Sequence, residues 1–255
     1  MKPLFSREGA AALTHLRGEH TLVALDFDGT LGALVTERER ATLRPHTRRL
    51  LAQVAALYPC AVLSGRSRAD LHRRLTGVRL KWLVGNHGAE GNGALSKPRT
   101  LRQRVRGWRR ALEAEATKWP GLEIEDKGLS LALHTRRVVR PGEAEASLLR
   151  AAEALVGARA RIGKRVVDVV SIDAPNKGEA LASLVRRAGA TYVLFAGDDE
   201  TDEDVFERDL GVPAVTVRIG RRQASRAGYW LRAQSDVDRL LEMLIGLRRE
   251  RRTEA

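Results

Sequence analysis

Sulfur and aromatic groups are scarce in this chain: one cysteine, two methionines, four phenylalanines, three tyrosines and four tryptophans in 255 residues. A lone cysteine excludes an internal disulfide and any multi-cysteine zinc site. Cys60 lies in the apolar run Cys60-Ala61-Val62-Leu63, which reads as a buried structural thiol rather than a nucleophile. No basic stretch interleaves with aromatics, as a surface for single-stranded nucleic acid requires. No segment approaches membrane-spanning length without charge. Met1 to His20 is interrupted by Arg and Glu and has no apolar core of the signal-peptide kind. These absences lead to the expectation of a cytoplasmic protein that binds neither membrane nor nucleic acid.

What is present is charge and a regular alternation of apolar runs. Lys and Arg outnumber Asp and Glu by 45 to 32, a net +13, which favours anionic ligands. Much of the excess is Arg on helical segments and in the basic tail Arg248 to Arg252, so it reads as a solvated face with a general attraction for phosphate. The organising stretch is Leu22 to Leu31. It starts as an apolar strand of the kind buried on both faces, places Asp26 and Asp28 two residues apart, and breaks at Gly29. A helix from Ser6 to Arg17 precedes it, and a polar loop from Thr36 to Arg44 follows. Pro45 then opens a helix that ends at Tyr58-Pro59. Cys60 to Leu63 is a second strand, running into Ser64-Gly65-Arg66 and a further helix. Leu80 to Val84 is a third strand, ending at Gly85-Asn86-His87-Gly88. Strands alternating with helices predict a doubly wound parallel sheet, an α/β fold of Rossmann-like layout.

The pattern changes after residue 100. Leu101 to Trp119 is a long basic amphipathic helix. Leu122 to Glu125 and Leu129 to His134 are strands joined at Asp126-Lys127-Gly128, Pro141-Gly142 opens a helix, and Arg161 to Ile172 alternates as one or two more strands. This predicts a smaller α+β unit over 101–173, inserted in a core made of 1–100 and 174–255. Pro175 to Gly178 marks the return. A helix from Glu179 to Ala188 and a strand from Tyr192 to Ala196 then lead into Gly197-Asp198-Asp199, with Asp202 close behind. Ala214 to Ile219 and Val237 to Leu247 read as a last strand and a last helix.

The ends of these strands carry matching chemistry. Asp26, Asp28 and Asp198 offer hard oxygen ligands suited to Mg²⁺, whereas zinc has no cysteine set to hold it. Asp26 at a strand end is placed to attack phosphorus, and Asp28 to protonate the leaving oxygen and then activate water. Ser64 and the amides of Gly65 and Arg66 can bond a phosphoryl oxygen at a helix start. Lys177 supplies a fixed positive charge. Asp199 and Asp202 stand behind these groups, or serve only as carboxylates at a helix N-terminus.

Asp26-Phe27-Asp28-Gly29-Thr30, Ser64-Gly65-Arg66, Lys177 and Gly197-Asp198-Asp199 together resemble the four motifs of the haloacid-dehalogenase (HAD) superfamily phosphatases, here with an α/β cap of the second type. Gly85 to Glu90, Glu125 to Ser130, His134-Thr135-Arg136, Gly163-Lys164 and Gly197 to Phe206 make the chain most similar to the trehalose-6-phosphate phosphatase family. That resemblance implies a Mg²⁺-dependent phosphatase acting through an aspartyl-phosphate. It also implies that Asn86, His87, Glu125, Lys127, His134, Arg136, Lys164 and Asp168 bind the sugar phosphate. A functional link to a trehalose-phosphate synthase is left open. The chain departs from the family pattern at Asp168, where Glu is usual, at Thr135, at Val170-Ser171 and at Gly32-Ala33. Most of these fall in the cap, so sucrose phosphate or another glycosyl phosphate is the alternative substrate. A non-enzymatic nucleic-acid binder is the remote alternative that the basic charge suggests.

Overall fold

The computed structural model describes residues 1–35, 41–91 and 98–254, so Thr36 to Arg40 of the expected polar loop lie outside the described residues. The chain begins with β1 (Lys2–Pro3), α1 (Arg7–Thr14), β2 (Thr21–Leu25), α2 (Pro45–Leu57), β3 (Cys60–Leu63), α3 (Arg68–Arg74) and β4 (Trp82–Val84). A middle portion follows, with α4 (Pro98–Ala116), β5 (Glu123–Asp126), β6 (Ser130–His134), α5 (Pro141–Glu153), β7 (Ala158–Gly163) and β8 (Val166–Ser171). It closes with α6 (Lys177–Ala188), β9 (Tyr192–Gly197), α7 (Glu203–Phe206), β10 (Ala214–Ile219), β11 (Tyr229–Leu231) and α8 (Asp236–Glu254).

Seven strands form one parallel sheet in the order β1-β11-β10-β9-β2-β3-β4. Its central strands are apolar on both faces because helices cover both. Val23 and Leu25 of β2, Cys60 and Val62 of β3, and Leu194 and Ala196 of β9 pack toward α2 and α8. The alternate residues Leu22, Ala24, Ala61, Leu63, Val193 and Phe195 pack toward α6 and α7. A side-chain period of two thus serves two cores from one set of strands, as a doubly wound sheet requires. β1 and β11 extend the edge of the sheet. With two and three residues, they are too short for any periodic signal.

The middle portion builds its own antiparallel sheet, β5-β6-β8-β7. One face packs on α4 and α5. Leu101, Val105, Trp108 and Leu112 recur at helical spacing along α4 and meet Leu131, Leu133, Val167 and Val169 of the sheet. This unit, the cap, leaves its other face toward the carboxyl ends of β2, β3 and β9. Arg161 Nη1 spans the seam to both carboxylate oxygens of Asp204 at 2.8 Å. Ser130 Oγ donates to Asn86 Oδ1 at 2.6 Å, and Arg136 donates to the carbonyl of Val35. No helix of the described residues is long and apolar enough to cross a membrane.

Candidate active site

β2 lies between β3 and β9, so the connections leaving these strands diverge and open a crevice at their carboxyl ends, where open α/β sheets hold ligands. Asp26 follows β2, Ser64 follows β3, and Asp198 and Asp199 follow β9. α6 brings in the fourth group. Asn176 Oδ1 accepts from the Glu179 amide at 2.9 Å and Glu179 Oε2 accepts from the Asn176 amide at 3.0 Å, a reciprocal cap that fixes Lys177 at the first helical position. Two glycines make room. Gly29 has φ +80° and a Cβ there would stand 2.3 Å from Asp198 Oδ2. A Cβ on Gly65 would stand 2.3 Å from the His87 ring.

Lys177 is 2 % exposed and its Nζ donates to Asp26 Oδ1 and Asp202 Oδ1, each at 2.7 Å. Burial opposes its charge, but Asp202 and Asp26 overcome that and push its pKa well above the lysine range. It is a permanent ammonium. Asp202 is fully committed, since its Oδ2 accepts from the amides of Asp198 and Asp199 at 2.8 and 2.9 Å.

The carboxylates remain under-compensated. Burial first, then Asp202 and Asp198, raise the Asp26 carboxyl well above its usual range against the pull of Lys177. Burial also raises Asp198, to about 6, although Lys164 of the cap sits on its Oδ2. Asp199 is raised by burial and by Asp202. Oxygens of Asp26, Asp198 and Asp202 lie within 4.8 Å of one another. Asp198 Oδ1 is buried without a hydrogen-bond partner, and among the described residues no donor engages Asp26 Oδ2. Crowded, dry carboxylates with spare lone pairs fit a hard divalent cation. The Asp28 carboxylate turns elsewhere: Arg66 holds it from Nε and Nη2 at 2.7 and 2.6 Å.

Core and cap enclose a cavity of about 110 Å³ over this cluster. Asp26, Asp28, Ser64, Gly65, Arg66, His87, Lys177, Asp198 and Asp199 line it from the core, and Lys127, His134, Arg136, Lys164 and Asp168 from the cap. Lys127 Nζ donates to Asp168 Oδ1 at 3.0 Å. Burial works the other way, yet Lys127 and His87 hold the Asp168 carboxyl far below the usual range. A larger groove of about 840 Å³ adjoins the cavity and shares Lys127, His134 and Arg136 with it. The candidate catalytic groups Asp26, Asp28, Ser64 and Lys177 stand in the smaller space.

Three expected residues do not line the cavity. Asn86 Nδ2 donates to Glu90 at 2.7 Å and its Oδ1 accepts from Ser130, so it ties core to cap. Glu125 pairs with His134 at 3.1 Å and lines the larger groove. Asp202 lies behind the metal-ligand candidates. The structure also adds residues that no motif singled out. Leu34, Val35 and Val166 line the cavity. Arg218 Nη2 donates to the Asp198 carbonyl at 2.9 Å. As the single charged residue in the apolar strand Ala214 to Ile219, Arg218 carried a readable signal. Thr201, within the Gly197 to Phe206 run, also lines the cavity.

Comparison with known proteins agrees with this geometry. The trehalose-phosphatase family profile matches residues 24–210. The trehalose-phosphate phosphatase of Mycobacterium avium is 32% identical over 221 residues, covering 80% of this chain and 55% of that one. Trehalose-phosphate phosphatase B of Arabidopsis thaliana is 29% identical over 262 residues, covering 92% of this chain and 68% of that one. The chain therefore spans about half the length of the mycobacterial relative. In fold it is similar to the C-terminal domain of trehalose-6-phosphate phosphatase from C. albicans, with TM-score 0.83 and 21% identity over 96% of this chain and 98% of that one. The parallel sheet, the four groups at its carboxyl edge and a profile match over most of the chain place this protein in the trehalose-phosphatase family.

Proposed function

We propose that this protein is a Mg²⁺-dependent phosphatase that hydrolyses trehalose 6-phosphate to trehalose and phosphate through an aspartyl-phosphate. The observation that carries the reading is the division of labour at Asp26. Lys177 holds its Oδ1 at 2.7 Å, which leaves Oδ2 uncommitted at the end of β2. Asp26 Oδ2 attacks phosphorus and the bond to the sugar oxygen breaks, with Asp28 supplying the proton that the leaving oxygen needs. In the second half Asp28 takes a proton from water, whose oxygen attacks the phosphoryl group and frees Asp26. Ser64 and the amides after it bond a phosphoryl oxygen, and Lys177 balances charge on the transferring group. Asp26 and Asp198 would hold Mg²⁺, with Asp202 orienting both; the ion would offset repulsion between the attacking carboxylate and an anionic phosphoryl group.

The substrate class follows from the cap. A cavity of about 110 Å³ takes a phosphoryl group and the atoms next to it, and a disaccharide must extend past Lys127, His134 and Arg136 into the adjoining groove. Family membership supports trehalose 6-phosphate among such substrates. The test is phosphate release with Mg²⁺ across a panel of sugar phosphates, with a chelator control. Preference for trehalose 6-phosphate is the expected result. Preference for sucrose phosphate or another glycosyl phosphate would replace the named substrate, and silence on every member from folded, metal-supplied protein would overturn the enzyme.

A further inference from the structure

Arg66 directly follows the Ser64-Gly65 pair of the phosphate-facing loop, yet its guanidinium points to carboxylates. It is 2 % exposed. Nε and Nη2 grip both oxygens of Asp28 at 2.7 and 2.6 Å, while Nη1 donates to Asp70 Oδ2 at 2.7 Å. Asp70 is itself anchored. It sits in the first turn of α3, whose N-cap Ser67 accepts from its amide at 3.2 Å, and it takes Arg74 Nε at 2.8 Å and Arg73 Nη2 at 3.1 Å. The Phe27 ring lies 5.5 Å from the guanidinium carbon and closes the apolar side. All three nitrogens of a planar fork are thus used on two carboxylates, a geometry that a lysine cannot reproduce.

We infer that Arg66 is a positioning residue for the reaction, acting through Asp28, and that Asp70 fixes Arg66 in that role from α3. The inference rests on the proposed acid–base part of Asp28. Asp28 reaches the cavity on a short side chain that follows a strand end and is 34% exposed. Left alone, such a side chain samples several rotamers. Clamping both oxygens selects one orientation, and a proton donor displaced by about 1 Å can lose on the order of 100-fold in rate. The far end of the relay, Asp70 with Arg73 and Arg74, forms part of the wall of the 840 Å³ groove. The wall that would face the distal part of a substrate is therefore linked, through two ion pairs, to the group that handles the proton.

The experiment measures kcat and KM for the best substrate of the panel, with inorganic phosphate as a competitive probe of the phosphoryl site. Arg66→Lys is expected to lower kcat by roughly 10- to 100-fold, with KM and the phosphate inhibition constant within about 2-fold of the parent. Asp70→Asn should move kcat the same way by about 3- to 10-fold. In a single-turnover assay the double variant Asp28→Asn/Arg66→Lys should be no slower than Asp28→Asn, because Arg66 has nothing left to position. Weakened phosphate inhibition in step with a raised KM would make Arg66 a direct phosphate ligand and overturn the inference. Additive losses in the double variant would do the same. If Asp28→Asn retains kcat, the acid–base reading itself falls; if Asp28→Asn loses it while Arg66→Lys and Asp70→Asn do not, only the relay falls.

Discussion

His87 on the core and Asp168 on the cap meet across the seam, with Nε2 and Oδ1 3.3 Å apart. The distance is that of an ion pair, and no hydrogen bond joins the two. His87 is held there by a left-handed backbone, φ 57°, in the loop after β4. The structure spends Asp168 on Lys127 and His87. One cap carboxylate therefore contributes to domain contact as well as to the cavity wall.

Replacing Asp168 tests that double duty. Asp168→Asn takes from the buried Lys127 ammonium the carboxylate charge that faces it at 3.0 Å, and the folded state should lose roughly 3 kcal/mol in urea denaturation. The pH dependence has a definite sign. The native carboxyl is held far below its unfolded value, so its contribution is complete above about pH 4 and disappears as acid protonates it below that. The stability gap between parent and variant should be level from about pH 5 to 8 and shrink under about pH 4. A gap that instead grows in acid would contradict the assignment.

Asp26→Asn should abolish turnover, by roughly 10³-fold or more, with the fold intact. Because burial and neighbouring carboxylates already disfavour the Asp26 anion, removing its charge should leave the melting temperature equal to the parent's or higher. Phosphate release near the parental rate would exclude Asp26 as nucleophile.

Mg²⁺ should stabilise as well as activate. At a hundredfold excess over its dissociation constant, a ligand specific to the folded state adds about 2.7 kcal/mol, visible as a rise in melting temperature that a chelator reverses. Asp198→Asn should remove most of that rise. If Mg²⁺ shifts the melting temperature of Asp198→Asn as far as the parent's, the ion binds elsewhere.

Arg161 and Asp204 should couple the two domains. Their contact is partly exposed, at 37% and 14%, so its value is modest, about 0.5–1 kcal/mol in a double-mutant cycle. Arg161→Ala should speed hydrogen exchange along β7 and β8 more than in the core sheet. Exchange unchanged in both would remove this pair from the contacts that hold the cap down.

Much of this molecule is written in local pattern. Leu22 to Leu25, Cys60 to Leu63 and Tyr192 to Ala196 had to be strands buried on both faces, because apolar β-formers without polar alternation have no exposed face to offer. The polar residues that interrupt such runs, Asp26, Ser64 and Asp198, then had to lie at strand ends. Their convergence follows from parallel topology alone. The alternation in 101–173 likewise required a second, smaller core. β1 and β11 could not be read, since two- and three-residue strands exist only because a neighbouring edge completes their hydrogen bonds. Tertiary structure alone decided which carboxylates face which cations. Asp28 turns to Arg66, 38 positions away, and Asp202 rather than Asp28 joins the acidic cluster. Asn86 ties core to cap and Asp168 faces Lys127 and His87. The reason is physical: the kind of residue at a strand end is fixed by local patterning, whereas its partner depends on side-chain direction and loop geometry across long separations, where each buried charge takes the counter-charge that the packed fold brings within reach.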